Sequence, residues 1–105
     1  MCNKINFVCN PTIKLCIDHD GGETETIDIS VEELVKNDFW KLLEANILST
    51  QEFPATVLSI FILKNKYFYS FKLRYWDGVG VRSVNNIYDV KTDERIESER
   101  EYIDL

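Results

Sequence analysis

Hydrophobic and polar residues alternate in two short segments near the start of the chain. Ile13, Leu15 and Ile17 alternate with Lys14 and Cys16, which is the two-residue period of a strand with one buried face. A second alternating segment runs from residue 24 to residue 30, and a Gly-Gly pair lies in the stretch between the two. Because glycine adopts turn conformations at little cost, this pattern predicts an N-terminal β-hairpin.

Apolar residues then recur at spacings of three and four, which is the period of one helical stripe. Ser30 and Glu33 have the spacing of a capping box, in which each side chain accepts a hydrogen bond from the other residue's amide. Pro54 ends the segment, since proline cannot continue a helix. We therefore predict one main helix of about four turns over residues 31–47, with a kink or restart at Asn37-Asp38. The stripe consists of Val31, Leu34, Val35, Phe39, Leu42, Leu43 and Ile47.

The second half of the chain contains the clearest strand patterns. Residues 56–63 are almost wholly apolar, which predicts a central strand buried on both faces, with a buried helix as the alternative because periodicity does not separate the two at this length. Residues 67–76 alternate, and the Asp77-Gly78 pair that follows them is a typical hairpin turn. Asn85-Asn86 is expected to form a further turn, and a last hairpin is predicted around Thr92-Asp93. These turns are too short for crossovers, so we expect antiparallel order throughout the sheet.

Together these elements predict a single α+β domain over residues 1–105. It consists of an N-terminal β-hairpin, one main helix, and then an antiparallel β-meander packed against the helix. A chain of 105 residues ordinarily has one hydrophobic core. Its apolar fraction of 45% and aromatic fraction of 12% are enough to fill that core, so we expect an independently folding domain.

Charge is distributed unevenly along the chain, which the net charge of −6 conceals. The segment Asp18–Val35 contains seven acids and no Lys or Arg. Between Phe53 and Val84 there are five cations and a single acid, and the tail from Asn85 is again acidic. Because negative surface repels phosphate and anionic lipid, we expect a protein partner with a basic surface, and neither nucleic acid nor membrane. An acidic surface that serves only solubility stays open as the alternative.

The sequence gives little support for catalysis or metal binding. His19, the only histidine, lies in a glycine-rich turn, and a Cys16–His19 nucleophile pair would need a third, orienting group. Cys2, Cys9, Cys16 and His19 would be the ligands of a zinc site, but they lack the close cysteine pair of structural zinc sites. We therefore predict no catalytic residue, no metal site and no cofactor. A small enzyme with an unrecognised site is kept as an alternative.

The three cysteines also bear on the cellular compartment. Their number is odd and they are crowded at one end of the chain, which favours free thiols in a reducing environment. The first residues lack the apolar run of an export signal. We therefore expect a cytoplasmic protein. Eight Lys against four Arg, with frequent Ile and Asn, weakly favour a bacterial source with an AT-rich genome.

The leading functional hypothesis is a small acidic protein-binding module. Immunity-type inhibitors of basic toxins or nucleases share this profile of size, acidity and absent catalytic groups. The alternative is a self-associating structural or regulatory domain, a homodimer formed through a sheet edge or the Phe68–Trp76 face. Trp and Arg outside a core are enriched at protein interfaces, which adds residues beyond the acids to the candidates. The candidate partner-binding residues are Asp18, Asp20, Glu23, Glu25, Asp28, Glu32, Trp40, Phe68, Arg74 and Trp76.

Overall fold

The computed structural model describes residues 5–19, 21–50 and 55–103. This part of the chain is mainly β, with six strands and two short helices. The strands are β1 (Asn6–Asp18), β2 (Thr24–Asp28), β3 (Thr56–Lys64), β4 (Phe68–Trp76), β5 (Val81–Asp89) and β6 (Arg95–Ile103). The helices are α1 (Val31–Leu34) and α2 (Trp40–Thr50), and both lie in the chain between β2 and β3.

The strands form one sheet in the order β2-β1-β3-β4-β5-β6. Strands β1 and β2 form the predicted antiparallel hairpin, and β3 to β6 form an antiparallel meander. The expectation of antiparallel order throughout is wrong, because β1 and β3 are parallel neighbours. The connection from β1 to β3 includes β2 and both helices, and it is long enough to return the chain to the starting end of the sheet.

The expected single main helix is also wrong, because the chain forms two short helices, but the break between them contains Asn37-Asp38, where a kink or restart was expected. The capping box is present: the Ser30 amide donates to Glu33 Oε1 (3.0 Å) and the Glu33 amide donates to Ser30 Oγ (3.2 Å). After α1, the Asn37 side chain donates to the carbonyl of Glu33 (2.9 Å). Asparagine side chains that bond the backbone in this way compete with helical hydrogen bonds, so the helix stops and restarts at Trp40.

The helices cover one face of the sheet and form the core with it. Leu34, Phe39, Leu43 and Ile47 contribute buried side chains from the helical segment. The opposing sheet positions lie in register across β1, β3, β4 and β5, so their side chains point to the same face. These sheet residues are Ile13, Leu15, Ile60, Ile62, Phe71, Leu73, Val84 and Tyr88.

The opposite face of the sheet is open, and we call it the open face. The expectation that β3 is buried on both faces is therefore wrong, since Phe61 at its centre is 40% exposed. Phe61 lies in register between Lys14 on β1 and Lys72 on β4. These polar neighbours explain why no described element covers this side: a helix placed here would bury charged groups at a high free-energy cost.

A buried polar cluster joins α2 to β5 within the core. The expected turn at Asn85-Asn86 is wrong, because Asn86 lies inside β5 and is fully buried. Its side-chain Nδ2 donates to Oδ1 of Asn46 on α2, and the Tyr88 hydroxyl donates to the same oxygen (3.2 Å). The cluster satisfies Asn46 Oδ1 and Asn86 Nδ2, whereas Asn46 Nδ2 and Asn86 Oδ1 have no hydrogen-bond partner within the described residues.

Candidate functional site

The predicted acidic residues lie along one side of the molecule, formed by the β1–β2 hairpin and α1. We call this surface the acidic edge, and it consists of Asp18, Glu23, Glu25, Asp28 and Glu32. Four of these acids are exposed, and Asp18 is half-buried. Asp20, the sixth acid predicted for this site, lies outside the described residues. The structure therefore gathers the described acids of this segment on one boundary of the sheet.

The local fold places these acids through an edge strand and a glycine turn. All five residues of β2 are exposed, and β2 has a described neighbour on one side only. Gly21 and Gly22 both have positive φ, 139° and 91°, which lets the chain reverse tightly before β2. A charged edge strand of this kind resists pairing with other strands, so its side chains are presented to solvent and to partners.

Ion pairs neutralise only part of the acidic edge. Asp28 contacts Lys14 Nζ at 2.7 Å, and Glu25 lies 3.5 Å from His19 Nε2. Asp18 lies beside Lys66 in a small hollow of about 80 Å³. Within the described part of the chain, Glu23 has no ion-pair partner. Since the Lys14–Asp28 pair is local and exposed, it leaves a net negative potential over this edge.

The open face carries the other predicted binding residues. Phe68, Arg74 and Trp76 all occupy even-numbered positions of β4, and their sheet partners show that they point away from the helices. Trp76 is 40% exposed, Arg74 is exposed and Phe68 is half-buried. Phe68 and Trp76 stand at opposite ends of the strand, about 26 Å apart. They therefore share a face without forming one cluster.

A shallow depression of about 310 Å³ lies at the centre of the open face. Arg74 lies between Ser59 and Ser83 in the sheet register, and Lys72 lies beside Phe61. No described residue forms an ion pair with Lys72 or Arg74. Two cations, two hydroxyl groups and an aromatic ring make this depression suited to a carboxylate or another anionic group. Its lining residues are Ser59, Phe61, Lys72, Arg74 and Ser83.

Most of these depression residues are not among the predicted site residues, for a definite reason. Phe61 and Ser59 belong to the strand expected to be buried on both faces, which excludes them from a predicted surface. Lys72 shares the two-residue period of Arg74, so the sequence pattern already places it on the same face as Phe68, Arg74 and Trp76. To predict Ser83 as part of this depression one must know that β4 pairs with β5. That pairing follows from the Asp77-Gly78 turn and is not marked by Ser83 itself.

Trp40 differs from the other predicted binding residues. It begins α2, is half-buried and packs against the hydrophobic core. Its ring therefore contributes first to the core, and only part of it is available to a partner.

The described residues among those considered for nucleophilic or metal chemistry, Cys9, Cys16 and His19, are not assembled into a site. Cys16 lies on the Lys14 side of β1 but is only 6% exposed, while His19 is exposed and its ring faces Glu25. Cys9 is an exposed free thiol, and Cys2 lies outside the described residues. No group of three or more His, Cys, Asp or Glu side chains among the described residues is arranged to hold a metal ion.

Comparison with known proteins does not assign this chain to a family. No protein family, curated protein or solved structure matches the chain. Neither of the two helices in the described residues has the length and apolar character needed to span a lipid bilayer. The function must therefore be inferred from the two surfaces just described, the acidic edge and the open face.

Proposed function

We propose that this chain is a small protein-binding module whose acidic edge attracts a partner with a basic surface. One observation carries the proposal. The acidic segment of the sequence folds onto a single boundary of the sheet, and only some of its charges are neutralised by neighbouring residues. Such a concentration of like charge raises the rate of encounter with an oppositely charged partner and disfavours other partners.

The arrangement of the cations supports the same proposal. The basic residues of β4 lie at the centre of the open face, so they do not cancel the acids of the β1–β2 hairpin. Glu23 and Glu25 both extend from the exposed hairpin, whereas Asp28 is held by Lys14. We therefore assign the attraction mainly to Glu23 and Glu25, with a smaller contribution from Asp28.

An immunity-type inhibitor of a basic toxin or nuclease is the specific form of this proposal that we favour. Such a protein works by covering the site of its target, so it needs no reactive group of its own. An acidic exterior on a stable small fold suits a target that binds nucleic acid, because the inhibitor then presents negative charge in place of phosphate. The proposal includes no catalytic step, metal or cofactor.

Affinity capture with charge variants tests the proposal. The immobilised wild-type chain and the variant E23K/E25K are exposed to an extract of the source organism, and the retained proteins are identified by mass spectrometry. We expect a basic protein to be retained by the wild-type chain and lost with the variant. The matched control is D93K/E94K, which makes the same change in net charge in the connection between β5 and β6, away from the acidic edge.

The control variant shows whether binding depends on the acidic edge itself or only on the net charge of the chain. Retention by D93K/E94K together with loss on E23K/E25K supports the proposal. If both variants lose the protein, the attraction depends only on net charge and the assignment to the acidic edge is wrong. If both variants retain it, the acidic edge takes no part in binding. Circular dichroism of each variant establishes that its secondary structure is intact.

A further inference from the structure

The open face carries cations on β4 and acids on β6, and one cation and one acid lie at the same level. Lys72 on β4 pairs with Asn85 on β5, and Asn85 in turn pairs with Glu99 on β6. Directly paired residues point to the same face of a sheet, so Lys72 and Glu99 stand on the open face at one level. They are two strands apart, which is about 10 Å. One level along the strands, Ser70, Ile87 and Glu97 are aligned in the same way.

From this pattern we infer that the open face binds a second copy of this chain and forms a symmetric dimer. A two-fold axis parallel to the strands and directly above β5 would place β4 of each copy over β6 of the other. Lys72 of one copy then meets Glu99 of the second, and the symmetry repeats the pair. An interface of this kind uses the same patch on both copies and closes on itself.

The remaining residues of the open face fit the same arrangement. Half-buried Ile87 lies on the axis strand, so the two copies of this side chain meet at the centre and provide apolar contact. The depression beside Lys72 and Arg74 lies where Glu99 of the second copy's β6 would enter. Carboxylate–guanidinium and carboxylate–ammonium contacts in such a partly desolvated hollow are stronger than exposed ion pairs.

A second copy fits better than an unrelated acidic protein because both halves of the pattern are on this chain. An acidic partner would satisfy Lys72 and Arg74 but would be repelled by Glu97 and Glu99 on the same face. In the symmetric dimer Lys72 of each copy faces Glu99 of the other. The inference does not depend on the acidic edge, which lies at the other side of the sheet.

The size of the patch sets the expected strength of the dimer. Three strands of nine residues give a contact plane of about 430 Å² on each copy. Stable complexes bury about 800 Å² per partner, so we expect a weak, concentration-dependent dimer. Two copies that each carry a charge of −6 also repel one another at long range. Physiological salt screens this repulsion beyond about 8 Å, while the direct contacts are screened less.

Sedimentation velocity of charge variants tests the inference. The wild-type chain is examined from micromolar to millimolar concentration at physiological ionic strength, together with K72E, E99K and an equimolar mixture of the two. Each single variant places like charges opposite one another at both symmetric contacts, so we expect the dimer to be lost. In the mixture, the glutamate introduced on β4 of the first variant meets the lysine introduced on β6 of the second, and the remaining wild-type pair is unchanged. We expect a heterodimer.

Matched controls keep the charge changes and move them away from the open face. K91E and E94K lie in the β5–β6 turn and should dimerise like the wild-type chain. A wild-type chain that is monomeric up to millimolar concentration would overturn the inference and leave the open face to a different partner. So would dimers of K72E or E99K as strong as the wild type, or a mixture that stays monomeric.

Discussion

The buried cluster of Asn46, Asn86 and Tyr88 gives a stability prediction that follows directly from the hydrogen bonds. Asn46 Oδ1 accepts from both Asn86 Nδ2 and the Tyr88 hydroxyl. The substitution Asn46→Leu keeps a branched side chain of similar length and removes that acceptor. It leaves two donors without a partner in a region where Asn46 and Asn86 are 1% and 0% exposed.

The magnitude follows from counting buried polar groups. Each orphaned donor costs about 1 to 3 kcal/mol, so the two together cost about 2 to 6 kcal/mol. Asn46 Nδ2 has no hydrogen-bond partner within the described residues, and its removal returns about 1 to 3 kcal/mol. We therefore expect Asn46→Leu to lower the free energy of unfolding by about 2 kcal/mol.

A double-mutant cycle isolates the cluster from general effects of core substitution. Compared with Asn46→Leu alone, the double variant Asn46→Leu/Asn86→Leu further removes the Asn86 side chain, with its Nδ2 donor and its unpaired Oδ1. Only the Tyr88 hydroxyl then stays without a hydrogen-bond partner. The double variant should be more stable than Asn46→Leu alone. Asn85→Ala, which loses a half-buried bond from Ser70 Oγ (3.0 Å) on the open face, is the control and should cost about 1 kcal/mol.

Urea unfolding monitored by tryptophan fluorescence at micromolar protein concentration measures these differences. The reasoning is refuted if the double variant loses as much stability as the sum of the two single variants. That result would mean that Asn46 and Asn86 act independently. An Asn46→Leu variant as stable as the wild type would equally contradict the hydrogen-bond account.

Two further predictions concern the β4–β5 turn. The carboxylate of Asp77 accepts hydrogen bonds from Arg82 and from the amides of Gly80 and Val79, which lower the pKa of Asp77 from 3.8 to about 2. A carboxylate whose pKa is lowered by folding stabilises the folded state at pH values above its ordinary pKa, and this stabilisation is lost as the pH falls through the lowered pKa. In urea titrations, the stability advantage of the wild type over Asp77→Asn should therefore be full at neutral pH and vanish as the pH falls through about 2. An advantage that does not change with pH would contradict this. Gly78 has a φ of +99° and open space around its missing Cβ, so Gly78→Ala should cost about 1 to 2 kcal/mol through backbone strain alone. The exposed neighbour substitution Val79→Ala should cost almost nothing in the same thermal or urea unfolding, and equal losses at both positions would exclude strain as the cause.

Local signals in the sequence predicted the local structure well. The capping box of Ser30 and Glu33 forms at the start of α1. The Asp77-Gly78 pair joins β4 to β5, and the apolar period along 67–76 places Phe71 and Leu73 in the core. Each of these features depends on residues close together in the chain, and neighbouring residues alone are enough to specify them.

Features that depend on contacts between distant residues could not be predicted from the sequence in this way. The parallel pairing of β1 with β3 depends on where a 37-residue connection returns the chain, and no single residue marks it. Asn86 resembles a turn residue by type, but its partner Asn46 lies 40 positions away. The apolar run of β3 indicated two buried faces, whereas the polar strands beside it leave Phe61 exposed.

The candidate site shows the same division. The acids of the acidic edge could be predicted from the charge pattern of the sequence alone, because the five described ones lie in one hairpin and the start of the following helix. The sixth predicted acid, Asp20, lies outside the described residues. The open face was predicted only from residues of β4, namely Phe68, Lys72, Arg74 and Trp76, because these lie on one strand. Its acidic row on β6 and the hydroxyl groups of the depression come from neighbouring strands, and only the sheet register brings them together.

The central claim is that the charge on the acidic edge governs association with a basic partner. The most direct test is the association rate constant of the captured protein, measured by stopped flow against ionic strength for the wild-type chain and E23K/E25K. For the wild type we expect a rate that falls steeply with added salt. For the variant we expect a rate at least about tenfold lower at low salt and only weakly dependent on salt. Equal rate constants for the two chains at low ionic strength would contradict the account.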